Sequence, residues 1–354
     1  MNQSVSNTPP APATQLRPGE RIKRILGSRT AGVVILLLVI LALILVANAQ
    51  GVTGNRLLSL TVRGVMLGGI LSLGAIGLTL IFGVLRIPNF AHGDLMTGGA
   101  YLGLLFVGFM PMGNPIGPFS FGYEFLIAMV GSMAVVGVVG YLVDRMVFTR
   151  LRNRKSASII FAMSSIGVAL IIRSLVYLGW GADFTFFYRG RPRPSIELFA
   201  GIRVRPDQLF ILGLALFLIF LVYLLLEHTK MGKAMRATAD NPDLARVTGI
   251  DTERVVMWTW IIGGALAAAG GVMYGLDSQL RPEMGWLLLL PLFASVILGT
   301  IGNPYGALVG ALVIGIVWQT SSAFLDPAYG PGVAFLVMIL VLLFRPEGIF
   351  GKPR

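Results

Sequence analysis

Apolar runs long enough to cross a bilayer, set apart by short polar or Pro/Gly-rich stretches, recur along most of this chain. A hydrocarbon core about 30 Å thick takes roughly 20 apolar residues per helix. Ten runs stand out, near 31–48, 57–82, 95–110, 123–147, 157–178, 208–226, 254–276, 286–301, 305–324 and 331–344. The pattern predicts an all-α polytopic membrane protein with about ten transmembrane helices. The third, eighth and tenth runs are short for a straight crossing and read as thin or partly re-entrant segments.

Composition narrows the picture further. Of the 354 residues 55% are hydrophobic and 12% charged, too few polar groups to cover a soluble globule. Forty-five glycines and 19 prolines in so apolar a chain suit closely packed, locally broken membrane helices. No cysteine is present, which excludes disulfides, thiolate nucleophiles and Cys-ligated metals; two histidines, His92 and His228, cannot build a multi-histidine metal site. Net charge is +12. In a membrane chain that surplus orients rather than binds nucleic acid. With both termini cytoplasmic, eighteen basic residues fall inside and seven outside. The five outside arginines of the 179–207 loop run against that placement, including those of the Arg-rich stretch 188–194.

Residues 1–29 read as a disordered basic cytoplasmic tail. The run at 30–49 then has two readings, a retained transmembrane helix or a signal-like segment ending in Ala47-Asn48-Ala49. Residues 56–350 form the main transmembrane domain, interrupted by a polar loop at 228–254.

Three polar features break the apolar pattern. At Pro88 a helix stops, and Arg86, Asn89, His92 and Asp94 gather within nine residues. Polar groups at membrane depth are costly, so they either line a path or do local work: a boundary cation, a loop amide, an N-cap. A second break spans 298–307, with Gly302, Asn303 and Gly306 beside Pro304. Gly302, Gly306 and Gly310 are spaced for close helix approach. Two such breaks in opposite halves match a transporter built from inverted repeats, or else mark tight packing alone. The third feature is the 228–254 loop, where Asn241, Pro242, Asp243 and Gly249 stand at cap, first-turn and C-terminal positions of a short helix. That helix is either a plug for a cytoplasmic partner or a solvated connector. No phosphate-binding loop, zinc helix or nucleophile elbow is found, so no catalytic residue is assigned.

These motifs together resemble a known family. Ile76–Leu95, followed by Gly98-Gly99-Ala100-Tyr101, is similar to the signature of branched-chain amino-acid ABC transporter permeases of the LivH type. Gly232–Asn241 continuing to Asp251 resembles their cytoplasmic coupling loop, Leu298–Ala307 their late glycine motif, and Phe344–Gly351 their ending. The tail, the first run and the Arg-rich loop are additional. The resemblance implies an inverted-repeat ABC importer permease with broken helices. It would pair with a second permease subunit as a heterodimer, two cytoplasmic ATPase subunits and an extracytoplasmic substrate-binding protein. ATP and Mg would sit on the ATPases, with no cofactor on this chain, in a bacterial inner membrane. Arg86, Asn89, His92, Asp94, Gly302, Asn303 and Gly306 would then shape the translocation path. Gly232, Arg236, Asn241, Pro242, Asp243 and Gly249 would couple it to the ATPases. Relatives that carry urea and short amides leave the substrate open, and a passive channel is the reading from another class.

Overall fold

A computed structural model describes residues 53–111, 113–188, 191, 195–197 and 203–351. The expected tail and first apolar run lie outside these residues, as do Arg189, Arg193 and Pro194 of the Arg-rich loop.

Two long helices form the centre. Helix α1, Gly54–Leu85, and helix α9, Thr252–Asp277, bury 89% and 67% of their most apolar windows. Both are rich in glycine, and α9 in alanine as well, which lets backbones approach and leaves little side chain to expose. Around them run α2 (His92–Phe109), α3 (Tyr123–Val143), α5 (Ser158–Trp180) and α6 (Pro206–His228). The C-terminal half adds α10 (Met284–Gly299), α11 (Pro304–Ser321) and α12 (Gly330–Phe344). Helices α3, α5 and α6 bury only about a third of their windows, and the rest of their leucine, isoleucine and phenylalanine faces outward. In a membrane protein such faces meet lipid or another subunit. Among the described residues, six helices are long and apolar enough to cross a membrane, and α10 and the 327–343 segment are shorter apolar helices.

The packing is that of an inverted repeat. Helix α1 lies along α11 as α9 lies along α3, while α2 packs on α3 as α10 packs on α11. On the axis between the halves, α2 and α10 meet at their N-termini. A Cβ built on Gly93 would collide with the Gly285 carbonyl, and one built on Gly285 with the Gly93 carbonyl. The Gly285 N–H also donates to Thr97 Oγ1 at 2.9 Å. By this pairing the counterpart of the 86–91 break is the 278–283 segment ahead of α10, with Arg281 and Pro282, rather than the 298–307 break. The short runs at 95–110 and 286–301 are these two helices that start beside each other.

Helix α3 does not end at its apolar limit. A π-helical turn, Asp144–Phe148, carries it into α4, Thr149–Asn153. Buried Asp144 takes a two-pronged ion pair from Arg152 at 2.7 and 2.8 Å, which pins the turn. At one end of the bundle Arg86 reaches Ala239, and Gly302 reaches Thr79. At the other end Ser120 meets Asp207, Arg205 meets Asp277, and Thr185 bridges Leu280 beside a two-stranded ribbon of β1 (Ile196–Glu197) and β2 (Arg203–Val204). Successive connections therefore alternate between the two ends, as repeated crossings require.

Candidate functional site

The first break begins one residue before Pro88 would forbid a helix. Arg86 adopts a left-handed backbone with φ 55° and closes α1 by donating its N–H to Phe82. Phe90 N–H donates to Ser165 Oγ of α5, and Ser165 donates to the Pro88 carbonyl. Buried Asn89 accepts the Ala91 N–H at 3.2 Å, leaving its amide nitrogen without a partner. His92 is fully buried with Nε2 2.9 Å from the Gly74 carbonyl. A carbonyl only accepts, so Nε2 carries the proton. Asp94 lies in the first turn of α2 and pairs with Arg173 rather than capping the helix.

The second break lies at the end of the bundle where Arg86 stands. There a cleft of about 300 Å³ opens between the ends of α1 and α6, helix α7 (Lys230–Asp240) and the start of α11. Asn303 caps α11 by accepting from Tyr305 and Gly306 N–H, and Pro304 takes the first helical position. Gly302, at φ 84°, packs on Gly83 and donates its N–H to Thr79 Oγ1. Gly306 is buried against Gly299 with no room for a side chain.

Glu227 is the hub of the cleft. One carboxylate oxygen accepts from Arg236 at 2.6 Å and the other from the Tyr305 hydroxyl at 2.7 Å. The carboxylate thus ties α7 to α11. The sequence reading missed Glu227 and Tyr305, and it read no helix over 230–240. The available signal was a single acid closing the otherwise apolar 208–226 run.

Beyond α7 the chain turns into α8, Pro242–Val247. Asn241 caps it by accepting from Asp243 and Leu244 N–H, as its spacing predicts, and Gly249 follows at φ 86°. Gly232 is wedged against the Leu225 and Leu226 carbonyls, which fixes the corner between α6 and α7. Leu244 and Val247 are 60% and 85% exposed, an apolar knob at the tip of the loop. The structure therefore gathers Arg236, Gly302 and Asn303 in one cleft, with Arg86 touching α7 beside it. Asn89, His92 and Asp94 lie apart, inside the bundle around the start of α2.

A bundle of apolar helices, several of them broken, with a helical arm at one face is the architecture of a multi-pass membrane protein. Residues 60–342 match the family described as branched-chain amino acid transport system / permease component, and this chain belongs to that family. It is 31% identical over 299 residues to the high-affinity branched-chain amino acid transport system permease protein LivH of Escherichia coli K12, covering 82% of this chain and 94% of that protein. It is 29% identical over 297 residues to the corresponding protein BraD of Pseudomonas aeruginosa, covering 83% and 95%. A probable permease protein LivM of Methanocaldococcus jannaschii is 24% identical over 319 residues, covering 80% and 91%.

Proposed function

We propose that the chain is one of two permease subunits of an ATP-driven importer for branched-chain or other neutral amino acids. The reading is carried by one observation, the Glu227 linkage that joins the cytoplasmic arm to the second helix break. In this reading the exposed Leu244–Val247 knob seats in a groove of a separate ATPase subunit, which holds ATP and Mg. Closure of two such subunits pushes α8, then α7. Arg236 and Glu227 pass the shift to Tyr305 and α11, and α11 lies along α1. Arg86, Asn89, His92 and Asp94 with Gly302, Asn303 and Gly306 shape the path that this motion opens. The outward apolar faces of α5 and α12 meet the second permease, and an external binding protein delivers substrate to the opposite end. The membrane is the bacterial inner membrane, with both termini cytoplasmic.

The test is leucine uptake by cells expressing the whole transporter with Glu227→Gln, Arg236→Ala or Gly249→Ala. Uptake is expected to fall at least tenfold while the ATPase subunits still co-purify. Normal uptake by all three variants sinks the assignment.

A further inference from the structure

Residues 345–351, which follow α12, fold back onto the second break. Ile349 donates its N–H to the Leu298 carbonyl at 2.8 Å, and the Thr300 hydroxyl donates to the Glu347 carbonyl at 2.9 Å. Gly348 and Ile349 are buried, the latter in the same apolar core as Leu298 and Ala307. Gly348 stands at φ 80°, which glycine adopts freely, and a Cβ there would press on Thr300 Oγ1 and the Ile297 carbonyl at 2.7 and 2.9 Å. Buried Arg345 braces the turn from within, its Nη1 donating to the Ile349 carbonyl at 3.0 Å. The other side of this contact is strained. Thr300 has φ 90° and ψ 116°, a region that a β-branched residue leaves unless its surroundings hold it there. Its own carbonyl accepts the N–H of Asn303, the cap of α11. Residues 345–351 therefore grip the turn by which α10 passes into α11.

We propose that residues 345–351 form a latch that holds Thr300 in its strained conformation and thereby fixes where α11 begins. Thr300 is a positioning residue. It acts through Asn303, whose side chain accepts from Tyr305 N–H, on the residue that Glu227 engages. With the latch closed the corner is stiff, and a displacement of α7 travels on along α11. With it open Thr300 relaxes, the start of α11 gives way, and the motion is absorbed before it reaches α1. The latch rests on the ATP-driven importer reading and adds to it what keeps the coupling route rigid.

The test uses the whole transporter with its ATPase subunits and substrate-binding protein in proteoliposomes, reading leucine uptake and ATP hydrolysis together. Gly348→Ala drives the latch off the break, Thr300→Val exchanges the hydroxyl for a methyl and keeps the branch, and Thr300→Ser keeps the donor. Leucine carried per ATP hydrolysed is expected to fall about fivefold in the first two, the scale for one lost hydrogen bond, with hydrolysis retained. Thr300→Ser is expected to keep the ratio of the unmodified transporter. Should Gly348→Ala fail to co-purify with its partners, Thr300→Val decides by the same ratio. A role in stability alone lowers uptake and hydrolysis together, and that unchanged ratio overturns the latch while leaving the importer reading standing. A Thr300→Ser transporter as impaired as Thr300→Val does the same. Leucine uptake by the unmodified transporter without ATP overturns the importer reading and the latch with it.

Discussion

The contact between Gly93 and Gly285 holds the two halves of the bundle at their axis, and Gly285→Ala is the sharpest test of that geometry. The added methyl meets the Gly93 carbonyl oxygen at well under van der Waals distance, and it also crowds Thr97 Oγ1. Both are fixed: one is backbone, the other already accepts from the Gly285 N–H at 2.9 Å. Relief requires α2 and α10 to separate by about 1.5–2 Å, since carbon contacts settle near 3.5–4.0 Å. Overpacking of this kind costs about 1–3 kcal/mol, and stretching the Thr97 hydrogen bond adds about 1 kcal/mol. The sum, about 2–4 kcal/mol, corresponds to a Tm lower by roughly 4–8 °C on the scaling for domains of a few hundred residues. The assay is thermal unfolding of the detergent-purified transporter, followed by loss of its monodisperse chromatographic peak. Gly108→Ala is the control, because a Cβ there meets nothing within 4 Å although it shares helix α2. That variant is expected to be unchanged or slightly more stable, as alanine favours a helix over glycine. An unchanged Tm for Gly285→Ala, or an equal drop in both variants, refutes the helix-start contact.

Other outcomes follow from single interactions. Asn241→Ala removes the side chain that accepts from two N–H groups at the start of α8, at a cost of about 1 kcal/mol, and hydrogen exchange over 242–247 is expected to quicken while α9 is unaffected. Arg152→Ala leaves the buried Asp144 carboxylate of the π turn with the Thr149 hydroxyl but no cation, a loss of up to about 3 kcal/mol, and adding Asp144→Asn is expected to recover most of it in the same unfolding assay. Failure of the second change to rescue the first separates the pair from simple loss of arginine packing.

Helix runs, their short members and the cap of α8 were legible from the sequence because each is a local matter. Hydrocarbon thickness sets run length, proline and glycine set the stops, and Asn241-Pro242 sets a start whatever lies around it. Nine of the ten runs coincide with helices in the described residues, and Asn241 caps where its spacing says it should. The resemblance of the motifs around 76–95, 232–251 and 298–307 identified the family for a related reason. Broken helices need particular residues in a particular order, so the order is readable in one dimension.

What the chain alone left open is everything that depends on partners distant in sequence. Asp94 read as a cap or a path residue because its partner is Arg173, 79 positions away. Glu227 went unremarked because its value lies in joining Arg236 to Tyr305, 78 positions on. The breaks at 86–94 and 298–307 lie in opposite halves of the sequence, yet the Gly93–Gly285 contact sets the first of them opposite the 278–283 segment. An ion pair or a backbone contact across a bundle leaves no periodicity at either end, since one charged residue or one glycine looks the same with or without its partner. Sequence therefore determined where the chain crosses and where it stops. Only the tertiary structure decided which stops face each other and which charges are neutralised, because burial in a membrane makes an unpaired charge too costly to leave to local context.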